Sequence, residues 1–316
     1  MTWGRKALEQ KRRLLAASLG LALLSGLLLG LGYCSRSEPS PDTPLLIQVQ
    51  LPDGSIEQME LEGFVAGVVA GEMPASFHPQ ALRAQAVAAR TYVLRQRQAA
   101  KHGAAAVCCD SACCQAWLSR EQLEENWGED FPANWQRIQE AVADSAGEVL
   151  LFSGRLIDAV FCSTCGGMTE DVSAVWGGGR PYLTAHPCAY CQHSSRYSGW
   201  RRYSLSEAAS LLDCSPEQLR QMSVLSYTAG GRVEALSLGE LHYSGVELRS
   251  RLGLDSAAFS WLMQGDELVF LSLGYGHGAG LCQYGADGMG KAGYSYQDIL
   301  SFYYPGTELS RAEDFF

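Results

Sequence analysis

The chain has 316 residues, 47% of them hydrophobic and 18% charged, and a formal net charge of −10. That balance lacks the basic footprint that a nucleic-acid partner requires, and it removes long-range attraction to polyanions in general. Eleven cysteines allow metal sites or disulfides, whereas seven tryptophans and fourteen tyrosines serve first as core material and decide nothing alone.

Leu14–Tyr33 is a run of twenty uncharged, mostly apolar residues. At about 1.5 Å per helical residue it reaches roughly 30 Å, the thickness of a bilayer core. Arg5, Lys6, Lys11, Arg12 and Arg13 precede it, which keeps the N-terminus in the cytoplasm and sends the rest of the chain out. A cleaved signal peptide is the alternative. The run exceeds a usual signal core and no small-x-small site follows it cleanly, which favours an uncleaved, single-pass anchor in the cell membrane. Cys34 follows the bulky Tyr33, an arrangement that argues against lipoprotein processing. Residues 1–34 therefore read as cytoplasmic tail and transmembrane helix, and 35–44, with three prolines, as a linker. Residues 45–316 are long enough for one large domain or two intimately packed lobes.

Leu45–Glu60 alternates around Pro52-Asp53-Gly54 and predicts a β-hairpin. Val65–Ala70 carries no charge and delivers one carboxylate, Glu72, just before Met73-Pro74. From Pro79, a favoured first helical residue, Leu82, Ala86, Ala89 and Val93 recur at helical steps, while Arg83, Arg90 and Arg97 lie seven apart on another stripe. Gln136–Ala146 predicts a helix ending at Gly147, and Glu148–Phe161 two strands joined across Ser153-Gly154. Leu205–Leu212 and Pro216–Met222 predict short helices, and Gly230–Leu254 a strand, turn, strand and short helix over Val246–Leu252. The tail holds a glycine-rich loop, Gly274–Gly280, then helices over Gln283–Ala292 and Tyr296–Tyr303. The expected class is α+β, with mainly antiparallel strands and segregated helices around a substrate groove.

Glu72 is placed for proton transfer, because an apolar setting raises a carboxyl pKa towards neutrality. Out of context, a helix-terminal glutamate facing water is the commoner arrangement. Arg90 either grips a ligand near Glu72 or forms a buried ion pair, and Gln85 and Tyr92 are weaker neighbours. His277, in a loop of small residues that lets backbone approach a ligand, either donates to that ligand or orients the acid, or is structural. Ser163 has no base beside it and reads as a hydrogen-bonding group of the groove.

The cysteines fall into two sets. His102, Cys108, Cys113 and Cys114 have the spacing His-x5-Cys-x4-Cys-Cys, and one imidazole with three thiolates makes a closed, structural zinc site. Export favours disulfides, and free thiols are the third option. Cys162-x2-Cys165 and Cys188-x2-Cys191, with twenty-two residues between the pairs, fit a zinc ribbon or disulfides equally well.

Gly71-Glu72-Met73-Pro74 within Phe64–Arg95, Ser163-Thr-Cys-Gly-Gly-Met-Thr169, and Gly274–Leu309 with its Gln283-Tyr-Gly-Ala286 together resemble the stage II sporulation protein D family. The resemblance implies a peptidoglycan lytic transglycosylase, with Glu72 as its catalytic acid and with Ser163 and Gln283 inside matched motifs as groove residues, beside the candidates Arg90, Gln85, Tyr92 and His277. Some zinc-bearing relatives show a similar His-x5-Cys-x4-His-Cys, so Cys113 would replace a histidine ligand. A hydrolytic glycosidase normally needs two carboxylates, and the matched motifs offer one. A lytic transglycosylase manages with one group, which protonates the leaving oxygen and then draws the proton from the sugar's own C6 hydroxyl, closing a 1,6-anhydro ring. The resemblance also implies action on glycan strands during engulfment in sporulation, beside a cell-wall amidase and other engulfment proteins. The rival expectation is a peptidoglycan-binding scaffold or amidase activator that does not cut.

Overall fold

The computed structural model describes residues 44–316. The anchor expected over 1–34 and the linker expected over 35–44, all but its last residue, lie outside the described residues, and among those described no helix is long and apolar enough to cross a membrane.

Leu46–Gln50 and Ile56–Glu60 form the expected antiparallel hairpin, with Gln48 opposite Gln58. Val107–Cys108 adds to it in parallel. The chain then enters helix Leu61–Glu72, crosses a short loop, and runs through helix Pro79–Ala99. Pro79 occupies the first turn of that long helix, His78 Nδ1 accepts from the Gln80 N–H, and Ala100 ends it in the left-handed region.

The long helix is not amphipathic in the way its spacing suggests. From Ala81 to Leu94 every residue but Arg83 is buried, as befits a central helix covered on all sides. Five alanines in that stretch, from Ala81 to Ala89, let other elements come close. Leu61–Glu72, Phe131–Ala143, Glu148–Phe152, Gln283–Lys291 and Tyr296–Tyr303 all pack against it. Its N-terminus is tied to the far end of the sequence: His78 N–H donates to Asp287 Oδ1 at 2.8 Å, and Gln80 Oε1 accepts from the Tyr296 N–H at 2.7 Å.

The arginine stripe is dispersed rather than presented as a charged face. Arg83 pairs with Asp144, Arg97 lies 4.3 Å over the Phe316 ring, and Arg90 is fully buried. Arg90 Nε and Nη2 donate to the two Glu62 carboxylate oxygens at 2.8 and 2.5 Å, and Nη1 donates to the Glu148 carbonyl at 3.0 Å. Of the two roles open to Arg90, the structure assigns the buried ion pair, which corrects the expectation of a ligand contact.

Helix Phe131–Ala143 starts earlier than the spacing suggests, because Pro132 sits in its first turn, and it ends before Gly147, which turns the chain at φ +70°. Helix Arg120–Trp127 has no apolar periodicity to betray it, since Leu123 is its single buried residue; a capping box between Ser119 and Gln122 begins it. The expected hairpin at Ser153-Gly154 is short, Glu148–Phe152 with Arg155–Leu156, and Glu308–Arg311 flanks it. Phe161–Cys162 belongs instead to a separate parallel pair with Leu281–Cys282. The strands are thus mainly antiparallel, with two parallel pairings, and the α+β class stands.

Two further three-stranded antiparallel sheets, built from Ser198–Ser204 with Phe259–Leu273 and from Met222–Ser244, enclose a second core around Leu236, Leu248, Leu268 and Phe270. The short helices Leu205–Leu211, Pro216–Leu219 and Gly245–Arg251 pack on this lobe close to their expected places. Two cores therefore sit within one compact unit, Pro44–Phe316.

Glu62→Ala leaves the Arg90 guanidinium buried with one main-chain acceptor. The expected cost is about 3–5 kcal/mol, the range for a broken buried pair, read as a lower midpoint in urea unfolding.

Candidate active site

A cleft of about 740 Å³ opens beside the end of helix Leu61–Glu72. Glu72, Tyr92, Ser163, His277 and Gln283, five of the residues expected at a site, line it. Gln85 and Arg90 do not. Gln85 is fully buried and neither of its amide atoms has a partner; its assignment to the groove is corrected together with that of Arg90. Both sit on the helix that the core surrounds, so their spacing from Glu72 says nothing of exposure.

Glu72 is the last residue of its helix, and Met73 leaves in an extended conformation. Arg137 donates to the Ala75 and Phe77 carbonyls at 2.8 and 3.0 Å, which fastens the loop that follows. Burial raises the Glu72 pKa above the ordinary glutamate value, and the negative end of the helix dipole acts the same way. The Ala116 N–H, donating to Glu72 Oε1 at 2.7 Å, pulls it partly back.

That contact depends on two glycines one helical turn apart. A Cβ on Gly67 would come within 2.4 Å of Trp117 Nε1 and 2.8 Å of the Leu118 carbonyl; one on Gly71 would lie 3.3 Å from the Ala116 carbonyl. Without Gly67 the Gln115–Leu118 segment could not lie along the helix and aim its N–H at Glu72, and Gly71 eases the same approach.

The opposite elements come from the two later motifs. Thr164 and Tyr275 exchange main-chain hydrogen bonds at 3.3 and 2.8 Å, where Gly166 and Gly274, both at positive φ, let the two loops cross. The loops bring Ser163 and His277 to the cleft. His277 Nδ1 accepts from the Ala279 N–H at 3.1 Å. Burial, with the Arg249 and Arg232 guanidiniums nearby, pushes its pKa down to about 4. A neutral imidazole therefore faces the cleft at pH 7, and it is a hydrogen-bonding group rather than a cation.

Three cleft residues, Gln115, Trp176 and Asp158, escape a reading of spacing. Gln115 is buried with both amide atoms lacking protein partners, and Gln283 Nε2 shares that state. Buried amides of this kind next to an acid suit the hydroxyls of a polar ligand. Trp176 is 58% exposed, with its ring 4.7 Å from that of His277. It offers a stacking platform for a sugar-like face. Glu72 and Asp158 are the two carboxylates lining the cleft among the described residues. Asp158 is held by Arg180 at 3.0 Å and Arg95 at 3.5 Å.

His102, Cys108, Cys113 and Cys114 come together as their spacing suggests, with ligating atoms within 4.8 Å of one another. Cys113 and Cys114 also border the cleft. Cys109 is not part of the group. In the second set the structure substitutes one member: Cys165, Cys188 and Cys191 group with Cys282, and Cys162 lines the cleft instead.

Residues 53–152 match the family model described as stage II sporulation protein. Stage II sporulation protein D of Bacillus subtilis (strain 168) is 34% identical over 265 residues, which cover 83% of this chain and 77% of that protein. The chain belongs to the stage II sporulation protein D family. The protein of the same name from Bacillus amyloliquefaciens is 34% identical over 285 residues, 88% of this chain and 83% of its own. An amidase enhancer of Bacillus subtilis (strain 168) is 28% identical over 299 residues, covering 77% of this chain but 40% of that protein. The family match contains Glu72, Gly67, Gly71 and Gln115. In this member of the family the acid and the segment laid over it therefore sit together in the matched part.

Gly67→Ala should cost about 1–3 kcal/mol through overpacking against Trp117. It should also raise the Glu72 pKa further, because the Ala116 N–H that favours the charged form is pushed away; carboxyl-carbon NMR titration reads this. Glu72→Gln keeps that acceptor and removes a buried charge. A carboxyl whose folded pKa is raised loses stability as pH rises through that pKa. The variant should therefore melt above wild type at neutral pH, and the gain should vanish in acid; calorimetry across pH checks the sign.

Proposed function

We propose that this chain is a peptidoglycan lytic transglycosylase in which Glu72 acts first as acid and then as base. The observation that carries the reading is a desolvated carboxyl with a raised pKa at the end of a helix, in a cleft furnished with unpaired amides and an exposed tryptophan. Protonated Glu72 donates to the departing glycosidic oxygen. The resulting carboxylate takes the proton of the C6 hydroxyl, whose oxygen closes on C1, so no water enters the product. The Ala116 N–H steadies the carboxylate between the two transfers. Gln115, Gln283, Ser163 and neutral His277 hold sugar hydroxyls, and Trp176 stacks on a ring face.

Asp158 is the remaining candidate for a hydrolytic partner. Its two arginines hold it as an ion pair rather than leaving it free to activate water. His102, Cys108, Cys113 and Cys114 would hold zinc: one imidazole and three thiolates complete a tetrahedron and leave no open position. Their role is to anchor the loop that leads into Gln115 and Ala116. In this reading the apolar run Leu14–Tyr33 is the anchor that holds the domain outside the cytoplasmic membrane, next to its polymer, and the family relation supports a role in sporulation.

The amidase enhancer among the relatives favours a second reading, a glycan-holding domain that stimulates an amidase without cutting. Digestion of purified, peptide-free glycan in oxygen-18 water separates the possibilities. The lytic reading expects 1,6-anhydro ends without the heavy isotope, and loss of about 10²–10⁴-fold in rate in Glu72→Gln. One heavy oxygen per cut would mean hydrolysis, and wild-type cutting by Glu72→Gln would remove the acid from the mechanism.

A further inference from the structure

Four cysteines drawn from three separate segments meet apart from the His102 group. Cys165, Cys188, Cys191 and Cys282 bring their Sγ atoms within 4.8 Å of one another, and none is more than 2% exposed. Cys165 and Cys191 Sγ lie 3.6 Å apart. Thiolates arranged tetrahedrally at about 2.3 Å from zinc are separated by roughly 3.8 Å. A disulfide instead draws two sulfurs to about 2.05 Å and engages only that pair.

The surroundings are those of metal-bound sulfur. The Cys165 and Gly285 N–H groups donate to Cys282 Sγ at 3.2 and 3.3 Å, and the Tyr303 hydroxyl lies 3.2 Å from Cys188 Sγ. Such outer partners offset the charge that thiolates bring to a closed site. Gly285 keeps the space open, since a Cβ there would fall 2.0 Å from the Tyr303 hydroxyl and 2.9 Å from Cys188 Sγ. Cys162 stands beside Cys282 in the parallel strand pair yet stays outside the group.

We propose that Cys165, Cys188, Cys191 and Cys282 form a second, tetrathiolate zinc site whose role is structural. On binding, the thiols release their protons to solvent and the ion takes four sulfur ligands, leaving no position for water. Cys165 lies two residues after Ser163, and Cys282 immediately precedes Gln283. The ion therefore clamps the central loop to the start of helix Gln283–Lys291 and fixes two cleft residues that the sequence holds far apart. This site is independent of what the cleft does to its ligand.

The test is metal counting on the full chain, purified under reducing conditions, by native mass spectrometry with elemental analysis. Two zinc ions are expected in wild type and in Cys162→Ser, one in Cys282→Ser, and one in Cys113→Ser. A single wild-type ion that Cys282→Ser removes and Cys113→Ser keeps also supports the site. It is overturned if Cys282→Ser keeps every ion that wild type holds. It is likewise overturned by iron in place of zinc, or by an unreduced mass showing bridges among these four cysteines. Should Cys282→Ser fail to fold, cobalt exchange of Cys113→Ser decides: an intense thiolate-to-cobalt band from a tetrahedral centre is expected, and its absence rejects the proposal.

Discussion

The contact on which the site depends is the close approach of the Gln115–Leu118 segment to helix Leu61–Glu72. Two side chains of hydrogen, at Gly67 and Gly71, allow it. The same approach buries Glu72, which raises its pKa, and supplies the one main-chain donor that tempers the effect. A carboxyl buried without a donor is costly to ionise, and one with several donors stays charged. Glu72 lies between these limits, which suits the acid-then-base role proposed for it.

The charged residues around this centre are spent on construction. Arg90 joins two helical segments and a strand through Glu62 and the Glu148 carbonyl, Arg137 holds the loop after Glu72, and Arg180 with Arg95 restrains Asp158. Buried ion pairs contribute less to net stability than to fixing one arrangement, because desolvation offsets much of their attraction. What remains in the cleft to meet a ligand is mostly neutral: amides, a neutral imidazole, a hydroxyl and an indole. That inventory suits the hydroxyls of a polyhydroxylated ligand.

With zinc bound as proposed, sulfur does for the outer parts of the site what the arginines do for its base. One cluster gathers the loop that feeds Gln115 and Ala116, and the other gathers Cys165, Cys188, Cys191 and Cys282 around the second wall. Both clusters lie at segments with little regular structure. Loops cannot hold a geometry by backbone pairing alone, and cross-links shorten the list of shapes they adopt.

Local patterns determined much of this: the hairpin, the long helix from Pro79, the C-terminal helices, the carboxylate that follows the apolar run at Glu72 and the His102 cluster all arise from neighbours in sequence, where spacing and propensity act directly. The weakly amphipathic helix Arg120–Trp127 and the polar strand Ser198–Ser204 left no such trace, because few of their side chains enter a core. Only the tertiary structure decided between the two roles of Arg90, withdrew Gln85 from the cleft, and exchanged Cys162 for Cys282. Each turns on which face of an element meets another element a hundred or more residues away, or on what covers a helix that is hidden on every side. Periodicity reports that a residue has a face; burial of that face is a property of the whole packed chain.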